Sequence, residues 1–215
     1  MTTNLKNKVK KIINLLSEKY PSPKCALNHM SPWELLVATI LSAQCTDKRV
    51  NMITPGLFKK YPTVESFAKA DIKELEEAIH SAGFYHNKAK NIIGCAQELL
   101  NLYKGVLPQS LDKLTKLPGV GRKTGSVLLG TAFGKAEGIV VDTHVSRLSQ
   151  KIGLTKESDP EKIEKDLMKI VDKKHWINFS HWLILHGRET CIARRPKCDD
   201  CIINHLCESF CENKQ

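Results

Sequence analysis

The chain has 215 residues, 41% of them hydrophobic and 26% charged, which is ordinary for a folded domain and excludes a disordered chain. The apolar stretch Leu35 to Leu41 is far shorter than the roughly 20 residues a membrane span needs. The lysine-rich residues 1–11 lack the apolar centre of a secretion signal, so a cytoplasmic location is expected. The formal charge is +10, from 33 Lys and Arg against 23 Asp and Glu. That excess points to a polyanionic partner, nucleic acid before acidic membrane, with simple solubility as the bland alternative. It is concentrated in two places: residues 1–24 carry six Lys and one Glu, and residues 111–135 carry five basic residues and one Asp.

In chain order the pattern is helical. Val9, Ile12, Ile13 and Leu16 keep the spacing of one helix face. Ser31-Pro32-Trp33-Glu34 reads as a helix start, with Ser as N-cap, Pro in the first turn and Glu three residues on. Asp71 and Glu74 repeat that logic before Leu75 and Ile79, and Gly83 is the expected stop. Ala89, Ile92, Ile93, Ala96, Leu99, Leu100 and Tyr103 form a further apolar face closed by Gly105. Ile163, Leu167, Ile170 and Val171 follow Asp159-Pro160 in the same manner, and Trp176, Phe179, Trp182 and Leu183 make one more. Gly138 to Val141 is the best strand candidate and is short enough to be a buried connection instead. About ten helices joined by short loops define an all-α fold.

Four of the eight cysteines crowd into seventeen positions, as Cys191-x6-Cys198-x2-Cys201-x5-Cys207. A disulfide framework suits a small secreted domain, and this chain is neither small nor visibly secreted. Clustered thiols then point to metal, either zinc or a cubane iron–sulfur cluster. Arg194, Arg195 and Lys197 lie between the first two ligands. They are either ordinary solvated charge or a basic loop that grips a phosphate backbone.

Leu117-Pro118-Gly119-Val120-Gly121-Arg122-Lys123 separates a short helix around Leu111 and Leu114 from a longer one with Val127, Leu128 and Thr131. Two glycines permit a tight turn and close approach, and the following helix start presents free N–H groups. Such a hairpin binds a DNA phosphate without reading bases, or is a plain interhelical turn. Lys123 falls in the first turn of the second helix, where the helix dipole and Arg122 both work against an ammonium and favour the nucleophilic free amine. The plainer role for Lys123 is a phosphate contact. Asp142, in Val141-Asp142-Thr143-His144, is placed to cap a helix carrying Val145 and Leu148. A capping carboxylate facing a substrate can also be catalytic, and one residue can do both.

Together these segments resemble the endonuclease III family of base-excision repair enzymes. The anchors are Leu41-Ser42-Ala43-Gln44-Cys45-Thr46-Asp47, the hairpin from Leu117 to Lys123, Val141 to His144 and the x6, x2, x5 cysteine spacing, so the resemblance covers nearly the whole chain. It implies two helical lobes with DNA in the cleft between them. One is a six-helix barrel, residues 25–134, holding a helix-hairpin-helix motif over about 111–133. The other is built from residues 1–24 and 135–215 and holds a [4Fe–4S] cluster on Cys191, Cys198, Cys201 and Cys207. By the same resemblance Lys123 is the nucleophile and Asp142 the catalytic carboxylate. Gln44 fills the gap left by an extruded base, Phe84 is an apolar wedge, and Gly119, Val120, Gly121 and Arg122 lie on the DNA.

The implied activity is that of a bifunctional DNA glycosylase and AP lyase on double-stranded DNA bearing a damaged pyrimidine or an abasic site. Lys123 attacks C1′ and expels the base, and the resulting Schiff base acidifies C2′–H. β-Elimination then cuts on the 3′ side, a redox-neutral sequence that leaves the cluster a structural and DNA-contact role. Lys123 sets the chain apart from adenine-removing and mismatch-thymine relatives, which usually lack it. The eight residues after Cys207 are too few for the extra domain of the former. A cytoplasmic, nucleoid-associated monomer suits the task. A non-catalytic DNA-binding regulator or an electron carrier are the competing classes. The first would bind without cutting, and the second has no need of the glycine hairpin. One departure from the family pattern stands behind the lysine: Gly125-Ser126 where Ala-Asn is expected. A mid-helix Gly costs about 1 kcal/mol relative to Ala and is expected to loosen that helix.

Overall fold

The computed structural model describes residues 2–212, with the side chains of Thr2, Cys211 and Glu212 left aside, and the expectation that Cys211 is a free thiol lies outside the described side chains. The described residues contain helices and no strand. In chain order the helices are α1 (Thr2–Lys19), α2 (Pro32–Ser42), α3 (Asp47–Lys60), α4 (Val64–Ala68), α5 (Ile72–Ile79) and α6 (Tyr85–Tyr103). They continue with α7 (Leu111–Leu114), α8 (Arg122–Phe133), α9 (Thr143–Ile152), α10 (Pro160–Ile170), α11 (Trp176–Glu189) and α12 (Glu208–Glu212). Three short 3₁₀ turns sit between them. The count exceeds the expected ten because α4 and α12 are little more than one turn each, too short to show an apolar period.

The caps are where the side chains put them. Ser31 accepts from the Glu34 amide at 3.2 Å and Glu34 reaches back to the Met30 amide at 2.6 Å. Asp71 takes the Lys73 and Glu74 amides, and Asp159 takes that of Lys162 with Pro160 in the first turn. Thr63 and Ser66 make a reciprocal capping box that opens α4. After α6, both Lys104 and Gly105 turn left-handed, so the stop begins one residue before the glycine.

Two compact units divide the chain. Residues up to Lys24 join those from Gly138 onward, and Cys25–Glu137 forms the other. In Cys25–Glu137, α6 packs on α4 and α5, α2 on α8, and the core holds Leu36, Leu41, Phe67, Leu75, Ile92, Leu99, Leu114 and Leu128. In the other, α1 packs on α10 and α11 around Ile12, Leu16, Leu148, Leu167, Phe179 and Leu183. The indole N–H of Trp182 on α11 donates to the carbonyl of Tyr20, just past α1, at 3.0 Å. That bond, with the apolar face of α1, is why the N-terminal helix packs with the C-terminal segment. Each fully buried Leu or Phe contributes about 1.5–3 kcal/mol, so these faces outweigh local propensity. The segment Gly138 to Val141 is the buried connection, with Ile139 and Val141 in this second core.

Candidate functional site

In the hairpin, the two glycines differ. Gly119 is left-handed (φ 75°), and a Cβ there would lie 2.8 Å from Asn91 Cβ on α6, so both conformation and space demand glycine. Gly121 has an ordinary φ of −80° and nothing of the protein within 4 Å of a Cβ. The expectation that both glycines serve a tight turn therefore holds for Gly119 alone. Gly121 is the N-cap of α8 with no side-chain cap, so the first amides of α8 face outward beneath a residue with no side chain. Val120 needs correcting too. Its side chain is buried, and its N–H closes the turn on the Leu117 carbonyl at 3.1 Å. Val120 holds the hairpin and offers no side chain or amide to a ligand. Arg122 and Lys123 are exposed at the first two helical positions of α8.

Behind them, the glycine at 125 has a packing reason. A Cβ there would come within 2.7 Å of Leu111 Cδ1, and Leu114 and Thr115 follow behind. The space of an alanine methyl is taken by the tip of a side chain from α7. Ser126 is buried beside it.

Two exposed tips of the same unit carry strained backbone. Gln44 sits in the turn between α2 and α3 at φ 54°, and Phe84 precedes α6 at φ 49°. For residues other than glycine this region costs on the order of 1–2 kcal/mol. The Phe84 side chain is 64% exposed.

Asp142 belongs to the other unit and caps α9. Its Oδ1 accepts from both the His144 and Val145 amides, at 2.9 and 2.8 Å. Both bonds of the cap fall on that one carboxylate oxygen. Burial pulls the His144 imidazole below the usual histidine range, against the pull of the Asp142 charge.

Cys191, Cys198, Cys201 and Cys207 line one small hollow together with Leu148, Ile152 and Ile203. Burial pushes the Cys191 and Cys201 thiols up. The charges of Arg147 and Lys151 pull Cys191 back, and each thiol also feels the other members of the set. Four soft donors around one apolar hollow suit an iron–sulfur centre. A lone zinc ion holds its sulfurs about 2.3 Å from a single point. Arg194, Arg195 and Lys197 are exposed on the loop between the first two ligands.

Three contributors were invisible in the sequence. Arg147 on α9 donates to the carbonyls of Cys191 (2.7 Å) and Gly187 (3.1 Å). Buried His186 places Nε2 3.3 Å from Cys201 Sγ. Buried Lys88 ties two loops together. None stands in a recognisable spacing.

A family model of the HhH-GPD superfamily of base excision DNA repair proteins matches residues 37–173. The iron–sulfur binding domain of endonuclease III matches residues 191–207. An endonuclease III of Synechocystis is 50% identical over 204 residues, covering 95% of this chain and 93% of that protein. The Escherichia coli endonuclease III is 42% identical over 204 residues, covering 94% and 96%. Among solved structures, a non-covalent endonuclease III–DNA complex superposes with a TM-score of 0.91 at 41% identity, covering 97% of this chain and 98% of that one. A trapped covalent endonuclease III–DNA intermediate gives 0.91 at 40% identity, covering 98% and 99%. A thermostable thymine-DNA glycosylase at 22% identity and TM-score 0.87 shares the fold.

Fold and matches define a helix-hairpin-helix base-excision repair protein. More closely, the chain belongs to the endonuclease III family: it is a bifunctional DNA glycosylase and AP lyase with a [4Fe–4S] cluster. No described helix is long and apolar enough to cross a membrane.

Proposed function

We propose that Lys123 is the nucleophile, Asp142 the catalytic carboxylate, and duplex DNA with a damaged pyrimidine or an abasic site the substrate. The observation that carries this reading is an exposed primary amine in the first turn of an uncapped helix, directly after a left-handed glycine turn. The outward amides of α8 hold a phosphate of the lesion strand, with Arg122 alongside. A target base inside the duplex must swing out, which costs a few kcal/mol and less at a damaged base. Gln44 and Phe84 occupy the vacated stack.

The Lys123 amine then attacks C1′, and the glycosidic bond breaks with its electron pair leaving on the base. Oδ2 of Asp142 stabilises positive charge on the sugar and assists proton movement. The ring opens to a Schiff base on Nζ, C2′ loses its proton, and the 3′ C–O bond breaks with the electron pair leaving on phosphate. Cys191, Cys198, Cys201 and Cys207 would hold the cluster, and the loop between the first two of them carries Arg194, Arg195 and Lys197 for contact with the DNA backbone.

In this reading residues 25–134 are the six-helix barrel, and residues 1–24 with 135–215 are the cluster domain. The enzyme works as a monomer in the nucleoid-bearing cytoplasm. Nicking assays with thymine-glycol and abasic duplexes test it. The native protein cuts both, and Lys123→Gln binds both and cuts neither. Cutting by Lys123→Gln at the native rate contradicts the assignment.

A further inference from the structure

Lys88, on the first turn of α6, is 4% exposed. Its ammonium donates to the Leu41 carbonyl at 2.8 Å and the Ala82 carbonyl at 3.0 Å, and among the described residues no carboxylate pairs with it. Both acceptors are element ends: Leu41 lies in the last turn of α2, and Ala82 closes the 3₁₀ turn before α6. Such carbonyls have no partner within their own helix. Three residues past Leu41 comes Gln44, and two past Ala82 comes Phe84, both left-handed. One cation thus grips the roots of both tips.

Hiding an ammonium without a counter-charge is costly. That cost shows as a pull on Lys88 below the usual lysine range, caused by burial and partly offset by the neighbouring Cys45 thiol. A methionine would fill the same space more cheaply. What it lacks is two donors for two carbonyls that belong to different loops.

We propose that Lys88 is a positioning residue for base extrusion: by bridging the Leu41 and Ala82 carbonyls it fixes the spacing and strained backbone of the Gln44 and Phe84 tips. The inference rests on the reading of those tips given above. It adds that their pre-organisation comes from a buried cation that never touches DNA. Two side chains that must enter one base stack together gain from a fixed separation, because ordering loops at the moment of binding costs free energy.

The test uses the full-length, cluster-loaded protein and two duplexes differing at one position, thymine glycol or a pre-formed abasic site. The first requires a base to be unstacked, and the second has none to unstack. In single turnover, Lys88→Met is expected to lose about tenfold in base release while abasic cleavage falls by less than about twofold. Gln44→Ala and Phe84→Ala, run alongside, are expected to show the same split. Lys88→Arg keeps a cation but lengthens and forks it, displacing the tips, so it gives a smaller split in the same direction and carries the test alone should the methionine variant not fold. Equal losses on both substrates, or none on either, overturn the proposal. If the two tip variants show the split and the Lys88 variants do not, the positioning role fails and the tip reading stands. If no variant shows it, the tip reading fails and takes this inference with it.

Discussion

The guanidinium of Arg147 donates to the backbone carbonyl of Cys191 across 2.7 Å, which joins the middle of α9 to the first cysteine of the cluster. The same helix begins at Asp142, and near its other end the Lys151 carbonyl accepts from Cys207 Sγ at 3.3 Å. The cysteine loop and the helix that carries the carboxylate are one packed piece.

Arg147→Met is therefore expected to cost more than an exposed arginine would. It leaves the Cys191 and Gly187 carbonyls without this donor, and an unsatisfied buried polar group costs about 1–3 kcal/mol. The variant should lose its visible iron–sulfur absorbance faster on heating and melt at lower temperature. Unchanged melting and cluster retention would show the bond to be incidental.

Asp142 separates capping from catalysis by substitution. Asn caps nearly as well as Asp, so Asp142→Asn should keep its melting temperature while base release slows by about 10²–10⁴-fold. Asp142→Ala should lose the same activity and about 1 kcal/mol of stability besides. Thermal melts paired with single-turnover excision read both. A folded, fully active Asn variant would confine Asp142 to its cap.

The hairpin glycines make opposite predictions. Gly119→Ala meets Asn91 Cβ at 2.8 Å and must hold φ 75°, so it should destabilise the fold by about 2 kcal/mol. Gly121→Ala has ordinary backbone and open space, so its melting temperature should stay near that of the parent. Its methyl sits over the outward amides of α8, and affinity for duplex DNA should drop several-fold in a fluorescence anisotropy titration. Unaltered affinity would place the phosphate elsewhere.

Acid should loosen the unit that contains α11. Burial holds the half-buried His181 imidazole below the usual 6.5, so the fold favours the neutral ring. An unfolded chain takes up that proton below 6.5, hence the contribution is complete above that pH and is lost as pH falls toward the folded value. Asp166, held low by Lys169 and Thr155, acts in a separate window below 3.8. Urea midpoints at pH 7.5 and 5.5 should differ, and His181→Gln should narrow the gap. An equal gap in both proteins would exonerate His181.

Much of this was readable in the chain because short-range chemistry carried it. Ser31, Asp71, Asp142 and Asp159 each cap the helix their position implies, since a cap needs only its next two or three amides. The cysteine spacing located the cluster for the same reason. What escaped depends on distant packing. Nothing near Lys88 in sequence announces that its amine ends on Leu41, 47 residues away, nor near Arg147 that it reaches Cys191, 44 residues on. Gly125 reads locally as a weakness, and only the position of Leu111 on the neighbouring helix shows that its side-chain tip occupies the space of a Cβ there. Val120 has the reverse fault: it belongs to a DNA-binding motif by position, yet its side chain serves the core.

The central claim is covalent, and mass spectrometry tests it directly. Enzyme mixed with a thymine-glycol duplex and borohydride should gain the mass of the reduced oligonucleotide adduct, mapped by peptide digestion to Lys123 and absent from Lys123→Ala. An adduct on any other residue, or no adduct while the duplex is cut, would contradict it.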